Sequence, residues 1–268
     1  MKKETVGKSS RTPFKHWVLD SHLGQIAGVL SRRSPSVPAI PNPFLCIDLC
    51  AGDGTETEDH KSSPKIITKH CEWLAEKGFN VRSVMIEKHS ATFESLESNI
   101  DTKKIKHSCV LKNEDAREFI FKPSCLNQAV FINCDPNSIA NMPFSERLAK
   151  SLTKTTTMTL TLGCNVGGLK RLKKEQRKEW FDYIDTMIRI MPPWHDALLV
   201  SIERDDAQWA YFTRLPSVWS KQQSGSVFKK GSAMFKNGVR VESYRFGIDG
   251  FRDLIKRLFL TKVEVSNG

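Results

Sequence analysis

The run Phe44-Leu-Cys-Ile-Asp-Leu-Cys-Ala-Gly-Asp-Gly54 constrains this chain more than any other feature. A short apolar segment ends in Asp48, and Gly52 and Gly54 follow. An apolar run of that length, closed by glycines, reads as a buried strand. Glycines without a Cβ let the backbone turn sharply and come close to a ligand. A strand feeding a Gly-rich turn is how doubly wound α/β folds hold adenine-containing cofactors. The dinucleotide fingerprint itself is absent, because the third glycine is missing at the required spacing. An ordinary Asp-Gly turn is the plain alternative.

The 268 residues suit one large α/β domain or one domain with elaborations. A net charge of +11 points to an anionic partner, most often nucleic acid, with simple solubility as the bland reading. None of the seven cysteines forms Cys-x-x-Cys, and several lie in apolar runs. That reads as reduced thiols in a cytoplasmic protein, not as a disulfide framework or zinc site. His16, His22, His60, His70, His89, His107 and His195 show no metal-ligand pairing, so no metal is expected. No apolar stretch approaches the roughly eighteen residues of a membrane span.

Residues 1–43 read as a basic tail, a helix over 14–31 and a Pro-rich arm from Ser34 to Pro43. Residues 44–268 read as the main domain, with a basic elaboration over about 214–245. Strands are expected near 44–49, 81–86, 107–111, 129–133 and 155–162, then at 197–202, 209–214 and 239–246. A helix capped by Ser63 and a second capped by Ser90 alternate with the early strands. Longer helices are expected over about 173–191 and 249–259. Alternation followed by clustered strands argues for a mostly parallel sheet with helices on both faces.

The first motif resembles that of class I S-adenosylmethionine (SAM) methyltransferases, Asp-x-Phe-x-Gly-x-Gly, with Cys50 in place of the aromatic. The resemblance covers roughly residues 40–215. It implies a Rossmann-like, mostly parallel seven-stranded sheet closed by an antiparallel C-terminal strand pair. It also implies SAM as cofactor, with Asp48, Cys50, Ala51, Gly52 and Gly54 around its methionine portion. Glu87, at the end of the second strand beside Lys88, would take the ribose diol. Asp115, after the third strand, would accept from the adenine amine, or else cap the following turn. Asp135-Pro136-Asn137-Ser138 resembles in position the Asp/Asn-Pro-Pro-aromatic motif of amino-group methyltransferases, with two replacements. Asp135 and the Pro136 carbonyl would hold a target amine, with Asn137 beside them.

A closer resemblance is to the three-Cys-motif partner proteins and related phage or mobile-element methylases. It rests on Lys15-His16, on Ile47-Asp-Leu-Cys-Ala-Gly-Asp-Gly54, on Ser62-Ser-Pro64 and on the Asp-Pro after the fourth strand.

Residues 150–178 hold eight Lys or Arg against one acid. Lys170, Arg171, Lys173 and Lys174 leave the fifth strand at the end where ligands sit in doubly wound sheets. Lys229 and Lys230 lie among Trp219, Phe228, Phe235 and Tyr244, a mix that can stack bases and hold phosphates or can be core. The expected function is methylation of nucleic acid, DNA on a base amino group before RNA. The alternatives are a nucleic-acid-binding module without catalysis, or a methyltransferase for a small molecule or protein. Oligomeric state is not legible.

Overall fold

The computed structural model describes residues 12–31, 44–56, 61–119, 129–135 and 157–162, the strand segments 196–202, 208–214, 233–236 and 239–246, and single positions within 175–186 and 249–256. Among these, three helices are complete: α1 (Thr12–Ser31), α2 (Ser63–Glu76) and α3 (Ser90–Asn99). The strands are β1 (Phe44–Asp48), β2 (Val81–Ile86), β3 (Ser108–Lys112), β4 (Ala129–Cys134), β5 (Thr157–Leu162), β6 (Asp196–Ile202), β7 (Gln208–Arg214), β8 (Ala233–Lys236) and β9 (Val239–Phe246).

All nine strands form one sheet in the order β3-β2-β1-β4-β5-β7-β6-β9-β8. The first five pair in parallel. From β5 onward every pairing is antiparallel. The sheet therefore has nine strands where seven were expected, and its antiparallel part holds β6 to β9 rather than a closing pair. β9 matches the strand expected at 239–246, so β8 is the one that the residues did not suggest; the count of seven came from the resemblance. The stretch around β8 is rich in Gly, Ser and Lys, which reads as loop. Its four residues pair with β9, and Asn237-Gly238, a two-residue hairpin signal, stands between the two runs in the sequence.

β1 is buried along its whole length, as a central strand covered on both faces must be. The chain runs outward from β1 to β2 and β3, then returns to β4 on the other side. The reversal point thus lies between β1 and β4, where ligands enter doubly wound sheets.

α2 buries Ile66, Ile67, Cys71 and Leu74, a stripe at helical spacing. Its N-cap is Ser62, one residue before the expected Ser63, and no side-chain bond makes the cap. Pro64 tolerates this place because the first N–H groups of a helix lack partners anyway. α3 is likewise capped one residue early, at His89. α2 ends on Gly78 at φ +84. There the Gly78 N–H donates to Ala75 C=O and the Phe79 N–H to Leu74 C=O, closing the helix as a Schellman turn.

α1 packs on α2. Its Leu19, Leu23, Ile26 and Ala27 share one buried cluster with Phe44, Cys46, Ile66, Ile67, Cys71 and Phe131. Gly24 faces α2, where a Cβ would come within 3.0 Å of the His70 ring. Beside it Asp20 meets His70 Nε2 at 2.6 Å and accepts from Lys69 at 2.9 and 3.1 Å. The His70 hydrogen bond is the chief reason that the Asp20 carboxyl is held down at about 2. The His22 ring, fully buried, lies 6.0 Å from Phe131 of β4.

The helices expected over 173–191 and 249–259 lie largely outside the described residues. Within the described positions, Arg252 donates to the buried Asp185 at 2.5 Å, joining the two segments. Among the described residues no helix is long and apolar enough to cross a membrane.

If α1 belongs to the core, truncating Leu23 must cost what a core leucine costs. Leu23→Ala should destabilise the whole protein by about 2–5 kcal/mol. Urea unfolding followed by circular dichroism measures this. A loss under about 1 kcal/mol would mark α1 as an appendage.

Candidate active site

The site is built at the carboxyl ends of β1, β2 and β4. Asp48 ends β1 with no solvent exposure. Its Oδ1 accepts from the Cys50 N–H at 3.3 Å and from Asn133 Nδ2 at 3.0 Å. Asn133 is the Cα partner of Asp48 in the β1–β4 register, so the bond crosses the reversal point directly. Burial is the main cause that pushes the Asp48 carboxyl up to about 6, while hydrogen bonds from Ser63, Asn133 and Cys50 work against it.

The backbone after Asp48 is stitched to both neighbours. The Leu49 N–H donates to Asn133 C=O and the Ala51 N–H to Ile86 C=O. Gly52 and Gly54 then adopt φ of +67 and +68, a region that disfavours any side chain. Among the described residues a Cβ on Gly52 would meet nothing within 4 Å, so the turn faces open space there. A Cβ on Gly54 would come within 2.9 Å of Leu96 on α3. The second glycine serves packing, and the first leaves its side of the backbone open among the described residues. Asn99 of α3 donates to Asp53 C=O at 2.9 Å and holds the turn from behind.

Glu87 follows β2 and is buried. Its Oε2 accepts the Gly52 N–H at 3.1 Å and its Oε1 accepts the His89 N–H at 2.8 Å. Each carboxylate oxygen has two lone pairs, so each retains acceptor capacity toward the crevice. Asn113 donates to the Glu87 carbonyl at 2.9 Å and accepts from Ser90 at 3.1 Å.

Asp135, the residue after β4, forms an ion pair with Lys15 of α1. Burial pushes the Cys50 thiol pKa up, the charges of Asp48, Asp135 and Glu87 add to this, and a hydrogen bond from the Asp135 backbone works against it. Three carboxylates thus converge on the Gly-rich turn.

The structure brings Asp48, Cys50, Ala51, Gly52, Gly54, Glu87 and Asp135 together. It places Asp115 differently. The Asp115 carboxylate is engaged by Arg117, whose Nε donates to both oxygens at 3.0 Å and whose N–H donates to Oδ1 at 3.0 Å. Arg117 is also what holds the Asp115 carboxyl down at about 2. That is the capping arrangement of the turn at 115–119, the alternative that its sequence left open. Lys88 is exposed at the rim. Pro136, Asn137, Lys170, Arg171, Lys173, Lys174, Lys229 and Lys230 lie outside the described residues. Sequence reasoning missed Asn113 and the pairing of Lys15 with Asp135. Nothing local marks either, since both act across long stretches of chain. Among the described residues no group of three His, Cys, Asp or Glu side chains is placed so that it could hold a metal ion.

No protein-family model and no curated protein matches the chain. Among solved structures it is similar to protein LPL1258 from Legionella pneumophila, with a TM-score of 0.53 at 10% identity over 90% of this chain and 98% of that one. This is a shared fold across nearly the full length of both chains. The METTL16 MTase domain, truncated at its N-terminus, gives a TM-score of 0.42 at 11% identity over 78% and 84%. A SAM-dependent O-methyltransferase from Thermotoga maritima gives 0.36 at 13% identity over 72% and 65%.

Two predictions test the geometry. Gly54→Ala combines a positive φ with a steric clash, and should destabilise the fold by about 1–3 kcal/mol more than an ordinary surface substitution. Differential scanning calorimetry reads this, and an unchanged melting temperature would refute the tight packing against Leu96. For Asp48 the sign follows from its raised pKa. Between about pH 4 and 6 the folded state keeps a proton that the unfolded state has released, so this group makes stability fall as pH rises. Asp48→Asn should remove that slope. Relative to the variant, the parent should lose on the order of 3 kcal/mol between pH 4 and pH 7. Parallel denaturation curves at each pH measure the difference, and parallel pH profiles would overturn it.

Proposed function

We propose that the chain is a SAM-dependent methyltransferase acting on nucleic acid, with a base amino group as acceptor and DNA ahead of RNA. The observation that carries the reading is the Glu87 clamp on Gly52, at the reversal point of the sheet. One carboxylate shapes the Gly-rich turn and still offers lone pairs to a ribose diol beside it. The residues fit the cofactor in two further ways. The turn at Gly52 has room for a ligand against its backbone. Asp48, Glu87 and Asp135 give the crevice the negative field that a sulfonium cation favours.

When bound, SAM supplies an electrophilic methyl group on a sulfonium. The protein's own work is then mostly positioning. Glu87 fixes the ribose end. Asp48 keeps the turn closed by gathering the Cys50 N–H and the Asn133 amide. Asp135, with the Pro136 carbonyl, holds the target amine so that its lone pair faces the methyl carbon.

The nucleic-acid part of the reading rests on the net charge of +11 and on the basic segments at 170–174 and 229–230. The division at residue 43, the likeness to three-Cys-motif partner proteins and a cytoplasmic site of action belong to the same proposal. A binding module without catalysis is the competing class.

Isothermal calorimetry should show SAM and its demethylated product binding the parent, and Glu87→Ala weakening both by at least about tenfold. With labelled SAM, label should appear in DNA or RNA. Asp135→Ala should lower turnover on the order of a hundredfold or more while leaving affinity for the neutral demethylated product nearly intact. Label entering only protein would overturn the substrate class, and binding without any transfer would favour the module. Neutralising Lys170, Arg171, Lys173 and Lys174 should flatten the salt dependence of nucleic-acid binding, and an unchanged slope would remove that segment from the interface.

A further inference from the structure

Lys15 stands in the first turn of α1, and α1 is fixed to the domain by its buried face and by the Asp20–His70 contact. The side chain crosses to Asp135, 120 residues away, at the carboxyl end of β4. A lysine in the first turn of a helix opposes the helix dipole, so the position is poor for α1 itself. What it meets is an acidic crevice. Asp135 lies two residues past Asn133, which pairs in register with Asp48, so Asp135 borders the reversal point of the sheet. Both partners are about one-fifth exposed, Lys15 at 22% and Asp135 at 21%. The pair is sheltered enough for its charge to matter. A four-carbon stem still lets the ammonium withdraw.

We propose that Lys15 is a specificity-determining residue of this crevice: its ammonium competes with a cationic ligand for Asp135, and so sets how far the protein prefers a sulfonium cofactor over the neutral thioether left after methyl transfer. The inference rests on the reading of the crevice as a SAM site. With Lys15 on Asp135, one of the three carboxylates is neutralised. A ligand bringing its own positive charge must displace the ammonium or bind a less negative site. A neutral ligand of the same shape meets neither cost.

The test compares three ligands that share the adenosine and amino-acid portions. SAM is cationic at sulfur. S-adenosylhomocysteine is neutral there. Sinefungin carries an amine in place of the S-methyl group and is cationic again. Calorimetry of the full chain at fixed pH and salt gives the ratio of cationic to neutral affinity. Lys15→Met should raise that ratio about three- to tenfold, the scale of one sheltered charge interaction. Lys15→Arg, which keeps the charge, should leave it at the parent value. Asp135→Asn should lower the ratio and make Lys15→Met silent in the double variant. A merely structural latch predicts something else: a lower melting temperature in Lys15→Met and equal weakening of all three ligands. That result, or an unchanged ratio, would overturn the proposal. If none of the three ligands bound the parent, the SAM reading would fail, and this inference with it.

Discussion

A carboxylate without solvent at the end of the central strand is the constraint on which the site depends. An ionisable group buried at Asp48 is costly unless donors reach it. The donors come from two directions, and each fixes a piece of structure. The Cys50 N–H can reach Oδ1 only if the chain turns at once after β1. The Asn133 amide can reach it only if β4 lies beside β1 in the observed register. Bringing donors to this one oxygen therefore sets both the turn and the strand pairing at the reversal point. The Leu49 and Ala51 N–H groups finish the closure toward β4 and β2. Glu87 then takes the next free donor, at Gly52. Removing the acid from β1 would leave the Cys50 N–H and the Asn133 amide without this acceptor.

The charges act at two length scales. The chain as a whole carries +11, which at a distance attracts a polyanion and weakens with salt. The crevice is opposite in sign, because Asp48, Glu87 and Asp135 meet around one turn. Charge interactions at that range are screened little by salt. The two fields do not conflict, since the Debye length at physiological salt is only about 8 Å. Lys15 is where they touch, a basic side chain from the outer helix resting on an acid of the inner site.

Much of the parallel half was legible because its signals are local. β1 reads directly from its apolar run, and Gly52, Gly54 and Gly78 mark turns that need positive φ. Glu87 was legible because an apolar strand ends abruptly at it. The helix caps were misplaced by one residue at Ser63 and Ser90, since neither observed cap makes a side-chain bond and the backbone alone sets where each helix begins. What did not show in the sequence was what depends on distant partners: Lys15 needs an acid 120 residues on, and Asn133 reaches an acid 85 residues before it. For Asp115 the sequence offered two roles, and the nearby Arg117 side chain engages it in the capping one. The burial of α1 belongs to the same group. Its apolar positions suggested a helix, but only the packing against α2 shows that the helix completes the core.

Burial also sets opposing responses to acid. His22 is fully buried and its pKa falls to about 3, with desolvation as the cause. His107, which meets Ser83 at 2.9 Å, falls to about 4 for the same reason. For both, the unfolded state takes up a proton near pH 6.5 that the folded state refuses until lower pH. Their contribution to stability is thus complete above that range and is lost as pH falls. Asp48 works the other way, because its folded pKa lies above the unfolded one. Across about pH 4 to 6 the histidines penalise acid and Asp48 rewards it. The core that seats α1 on β4 and the carboxylate that closes the turn therefore partly cancel. A flat overall profile in that window would conceal two steep and opposite dependences, each separable by replacing one side chain.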